Sequence, residues 1–217
     1  MLSSVAPNTD QQTAVRLLAA ICAAALPETN DNFGADVVGL LRAQSRLQAL
    51  DFWIRYPDYL ANELLNEFEK SGAKDDLELA RRIFDDREPD LRRVPMIRYH
   101  FGAFEPLHNP LSILRSRDLV RQHRHGQPGH VTETWYLLTK AGREAMEKLA
   151  VAAVELAWYR DRAAVAARIA GSAGGGSLKE RQYLQAEYAT TPLKLVIPSI
   201  ANRVRERIDV LSMGARQ

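Results

Sequence analysis

Any chemistry in this chain has to come from a few side-chain groupings. The five histidines, His100, His108, His123, His125 and His130, fall close together. Three of them form H-x-H-x4-H (His123, His125 and His130). On a strand, His123 and His125 would share a face and could hold a metal. Zinc sites want three or four convergent ligands, usually with cysteine, and Arg124 would sit among these. No cysteine is nearby, since the chain has a single one, Cys22. A basic, histidine-rich turn region is the better reading, and no metal is expected.

Catalytic groupings are equally thin. Cys22 lies in an apolar helical stretch, which favours packing over nucleophilicity. No G-x-S-x-G, P-loop or H-E-x-x-H is present. The acidic cluster Asp85, Asp86, Glu88 and Asp90 lacks the second half that a hydrolytic metal site needs. Gly174-Gly175-Gly176 follows a helix, has no suitably placed lysine and reads as a linker. The expectation is a non-enzymatic protein with no catalytic residues and no cofactor.

The formal charge of +2 averages very different stretches. Residues 1–90 carry 9 basic and 16 acidic side chains, net −7. Residues 91–180 carry 14 and 8, net +6, and residues 181–217 carry 6 and 3, net +3. Different parts should therefore meet different partners. The single cysteine suggests a reducing, cytoplasmic setting. The most apolar run, Ala14 to Leu26, contains Arg16 and is too short to span a membrane, and with no basic residue before Arg16, an acidic Asp10 and a late start it does not fit a signal peptide.

The positioning elements follow from caps and periodicity. Residues 1–90 read as an acidic helical module. Thr9 or Asp10 caps a first helix reaching about Leu26. Leu40, Ala43, Leu47, Leu50 and Ile54 form one helical stripe. Pro57 breaks it. Asp58 starts a helix with Leu60, Leu64, Leu65 and Phe68 inward, and Gly72 stands at C′. Asp75 caps a fourth helix. Residues 88–110, with Tyr99, Phe101 and Phe104, read as a proline-broken connector with a helical turn near Met96–His100.

Asn109 caps a short helix with Pro110 at N1. Leu119 to Arg124 and Val131 to Leu138 read as strands joined through His125-Gly126-Gln127-Pro128-Gly129. Thr139 caps a helix continuing to Ala170, roughly 46 Å long at 1.5 Å per residue. Gly171 to Gly176 breaks it, and Ser177-Leu178-Lys179-Glu180 fits a capping box. A last helix places Ile200, Val204, Ile208 and Leu211 on one face. Residues 151–217 thus form a helical C-terminal extension. The fold class is mainly α with a small β-hairpin.

The segments Leu114-Arg115-Ser116-Arg117-Asp118-Leu119-Val120 and Thr134-Trp135-Tyr136-Leu137-Leu138-Thr139-Lys140-Ala141-Gly142-Arg143 resemble the "L-x-x-x-G/D-L-V … Y-x-L-T-x-x-G" pattern of bacterial winged-helix proteins. The resemblance covers roughly 45 residues, within a winged-helix region 91–150 flanked by N- and C-terminal helices. It implies a duplex-DNA-binding, regulator-like protein. Ser112, Arg115 and Ser116 would reach base edges or phosphates. Arg117, Arg121, His123, Arg124 and His125 would neutralise phosphates. The helix 139–170 would serve a homodimer or a second subunit. Tyr99 to Pro106 also resembles a "Y-G-P-F/W-D/S" stretch of winged-helix proteins in prokaryotic conflict systems, with Ala103 where that pattern has proline. Leu50 to Leu60 is similar to middle components of three-component ABC or SMC-type ATPase defence systems. That similarity implies the alternative function, an adaptor bound to an ATPase or effector in anti-phage defence.

Overall fold

The computed structural model describes residues 9–100, 102–127 and 130–214. Eleven helices and five short strands are found among them, so the chain is mainly α with a small β-hairpin. Phe101, Pro128 and Gly129, named in the expectations above, lie outside the described residues.

Two compact units divide the chain. Unit 1 is drawn from Met1–Leu47 and Pro106–Arg168, and unit 2 from Gln48–Glu105 and Ile169–Gln217. These units cut across the consecutive stretches 1–90, 91–150 and 151–217 expected from caps and motifs. The physical reason is pairing across long sequence separations within unit 2. Arg181 donates to Glu63, and Arg207 Nη2 stands 2.7 Å from Glu69 Oε2. The basic tail thus meets the acidic front. Unit 1 carries 13 basic and 10 acidic side chains, and unit 2 carries 16 and 17.

In unit 1, α1 (Asp10–Ala24) starts at a Thr9/Gln12 capping box. A 3-10 turn (Asp31–Phe33) leads into β1 (Val37–Arg42). This strand corrects the expectation of one helical stripe from Leu40 to Ile54. Leu40 belongs to β1, Ala43 turns the chain with φ +68°, and only then does α2 (Gln44–Arg55) begin. The chain returns to unit 1 before α6 (His108–Ser116), β4 (Val120–Gln127), β5 (His130–Thr139), α7 (Lys140–Ala152) and α8 (Val154–Ala170). The sheet order is β1-β5-β4, antiparallel throughout. One face of it buries Leu41, Val120, Tyr136 and Leu138, with Leu17, Leu18 and Ile21 of α1 and Leu111 and Leu114 of α6 completing the core.

Asn109 is not the cap of α6. Leu107 is, and Asn109 lies in the first turn, donating to Asp10 Oδ2 at 3.3 Å. Thr139 does cap α7, accepting from the Gly142 N–H at 3.0 Å. The single helix 139–170 is not formed. Ala153 is extended (φ −154°, ψ 139°) and separates α7 from α8, so no 46 Å rod presents one continuous stripe for a dimer. No residue type at the break accounts for it.

In unit 2, α3 (Pro57–Ser71), α4 (Lys74–Asp85) and α5 (Glu88–Leu91) follow α2. Gly72 ends α3 in the left-handed region, φ +73°. Ala73, not Asp75, caps α4. The connector holds a hairpin, β2 (Ile97–Tyr99) with β3 (Gly102–Phe104), in place of a helical turn. After the glycines come α9 (Gly175–Tyr183), α10 (Ala186–Thr190) and α11 (Ala201–Gly214). Gly174 caps α9, so Ser177 lies inside the helix and forms no capping box. Phe52, Trp53, Tyr56, Tyr59 and Tyr188 fill this core.

Candidate nucleic-acid interface

All eight candidate residues lie in unit 1, on α6, the turn after it, and β4. Nine residues make α6, and the i, i+3, i+4 rule sets its two sides. Pro110, Leu111 and Leu114 are buried, which turns Ser112, Arg115 and Ser116 to solvent. Both serines satisfy their hydroxyls locally, Ser112 on the His108 carbonyl at 2.8 Å and Ser116 on that of Ile113 at 3.0 Å. Arg115 reaches Gln122 Oε1 on β4 at 3.4 Å. The solvent face of α6 is therefore polar and continues onto the first residues of β4.

The β4–β5 hairpin and its seat on α6 and α7 follow from two backbone requirements. Asp118 has φ +52°, a conformation that Gly, Asp and Asn tolerate best, and it turns the chain from α6 into β4. Gly142 of α7 packs against the Leu119 carbonyl so closely that a Cβ there would overlap its oxygen. Both residues belong to the "G/D-L-V … T-x-x-G" pattern, Asp118 explained by its left-handed backbone and Gly142 by close backbone packing.

The eight candidates then separate. Arg117 and Arg124 are exposed and meet no carboxylate among the described residues. Arg121 does not stand free for phosphate. It donates to Asp36 Oδ1 and Oδ2 at 2.9 and 2.6 Å and to Asp118 Oδ1 and Oδ2 at 2.7 and 2.5 Å. Those hydrogen bonds hold both carboxyls below their usual range and push the guanidinium still higher. His123 and His125 are exposed but engaged with Trp135: His125 stacks on the indole at 4.2 Å and 10°, and His123 lies 5.5 Å away. Phe33 packs edge-on against both His123 and Trp135, and Arg42 lies 4.9 Å over the indole.

Trp135, Arg42 and Phe33 were not legible as site residues. The period of two puts His123 and His125 on one face. Only the register His123↔Trp135↔Arg42 brings the indole and guanidinium to them.

Among the described residues no three His, Cys, Asp or Glu side chains converge on a metal position. Burial pushes the Cys22 thiol up to about 12, a packed and unreactive state. Among the described residues no helix is long and apolar enough to cross a membrane. No family model, curated protein or solved structure matches the chain.

Proposed function

We propose that unit 1 is a winged-helix module that binds duplex DNA, with α6 in the major groove and the β4–β5 hairpin as the wing. The element order supports this reading: α1, β1, the start of α2, α6, then a hairpin, with β5 between β1 and β4. Residues 48–105 are then an insertion between the second and third helices of the module. One observation carries the proposal. Ser112, Arg115 and Ser116 share the solvent face of α6, and Arg117 and Arg124 on the same unit have no carboxylate partner among the described residues. Free guanidiniums neutralise phosphates and release counterions, and polar groups on a helix face read base edges. The test is fluorescence anisotropy with labelled duplex over a salt series. Arg124→Ala should weaken binding to every duplex and flatten the log–log salt slope by about 0.9. Arg115→Ala should also reduce discrimination between sequences. Absence of binding at low ionic strength refutes the reading.

A second reading, docking of another copy or of an ATPase subunit on α7–α8, has one observation in its favour. Val151 and Val154 flank the break at Ala153 and are 86% and 75% exposed. Sedimentation of the wild type against Val151→Asp tests self-association through that elbow.

A further inference from the structure

The sheet face opposite the unit 1 core carries a ring assembly that duplex contacts by α6 leave unused. Val37, Leu40 and Leu137 form a small apolar base there, with Phe33 and Trp135 packed on it. That base accounts for burying the inner edges of the two aromatics. It does not account for what lies above them. Arg42, His123 and His125 are exposed, yet they converge on one half-buried indole instead of ranging freely in water. His125 is parallel to Trp135, so one imidazole face is against the indole and the other is open to solvent.

The chemistry favours a flat, uncharged ligand over a phosphate. Glu133, the cross-strand partner of His125, accepts the Trp135 indole N–H, so a carboxylate sits beside the stack and repels an anion. Every nucleobase has a π face, and stacking on aromatic side chains is sequence-tolerant. Arg124 follows His123 in β4 and points to the other side of the strand, so it takes no part in the stack.

We propose that His125, Trp135 and Arg42 form a stacking platform for an unpaired nucleobase, so that the protein prefers duplex DNA bearing a single-stranded extension. The inference rests on the DNA-binding reading above for the duplex part alone. Anisotropy is measured with a blunt duplex, the same duplex with an oligothymidine tail on either end, and oligothymidine alone. A tailed duplex should bind about tenfold more tightly than the blunt one. His125→Ala, an exposed-site change that leaves the sheet intact, should remove that gain, read as the ratio of tailed to blunt affinity within the variant. Trp135→Phe should retain part of it. Equal affinity for blunt and tailed duplex overturns the platform, as does a full tail gain in His125→Ala. Binding to tailed but not blunt DNA, lost in His125→Ala, upholds the platform while overturning the duplex reading. Binding to none of the three overturns both.

Discussion

Arg121 Nη2 lies 2.6 Å from Asp36 Oδ2, and this pair ties strand β4 to the segment just before β1. Asp118, at the turn out of α6, grips the same guanidinium at 2.5 Å. The arginine is also aimed at the Phe33 carbonyl, 3.4 Å away. Its charge is thus balanced twice over before any ligand arrives. Replacing both carboxylates, as Asp36→Asn with Asp118→Asn, should release it. The salt slope of duplex binding should steepen by about 0.9, the signature of one added phosphate contact. An unchanged slope would mean that Arg121 has a purely architectural role.

The same ties give a pH signature. Arg121 holds the Asp36 and Asp118 carboxyls below 3.8, so the folded state releases their protons more readily than the unfolded chain does. Their contribution is therefore complete above 3.8 and is lost only as pH falls through the lower folded values. Arg121→Gln should flatten the acid limb of stability below 3.8 and change little at neutrality. Urea midpoints measured across that range decide it. These groups lie at the surface, so the absolute effect is small.

Gly142 sets two principles against each other. Alanine is the better helix former by about 1 kcal/mol. Yet a Cβ at 142 would overlap the Leu119 carbonyl oxygen, which belongs to backbone and cannot swing aside. Overpacking of this kind costs about 1–3 kcal/mol. Gly142→Ala should therefore destabilise by up to about 2 kcal/mol net, read as a lower Tm. A stabilised variant would show that α7 shifts freely against β4.

Where local signals govern, the chain could be read directly. The Thr9 and Thr139 caps, the Gly72 stop and the alternation in β4 and β5 all depend on neighbours within a few residues. The misreading of β1 and that of the units have a common cause in non-local pairing. Val37-Val38-Gly39-Leu40-Leu41 continues smoothly into the apolar positions of α2, and only pairing with β5 shows that it is a strand. Two periodicities are spliced at Ala43, whose positive φ has no residue-type signature. The units were hidden because Glu63 and Arg181 meet across 118 positions. The candidate site was legible in its residue types but not in its partners. Arg121 looks as free as Arg124 until Asp36, 85 positions away, is placed beside it.

Asp58 in unit 2 shows how such a distant partner sets stability. It sits in the first turn of α3, fully buried, and its carboxylate takes donors from the two residues just before α11. Its Oδ2 accepts from the Ser199 hydroxyl at 2.6 Å and the Ile200 N–H at 2.7 Å, and Ser199 Oγ in turn accepts from the Ala201 N–H at 3.2 Å. Asp58→Ala strands the buried Ile200 N–H, while the exposed Ser199 hydroxyl can turn to water, and should cost about 1–3 kcal/mol. Asp58→Asn keeps an acceptor and should cost less. The two variants differ further with pH. Burial raises the Asp58 carboxyl above its ordinary 3.8, against the pull of its hydrogen bonds. A raised folded value means that the folded state keeps the proton longer than the unfolded chain does. Stability from this group is then greatest below 3.8 and declines as pH rises through the folded value. Asparagine does not titrate, so Asp58→Asn should lose that decline and gain on the wild type as pH approaches neutrality. Urea unfolding of the two proteins from pH 3.8 upward gives the comparison. Parallel curves would mean that Asp58 stays ionised in the fold, held by the Ser199 hydroxyl, the Ile200 N–H and the Tyr59 N–H, the last on Oδ1 at 3.1 Å.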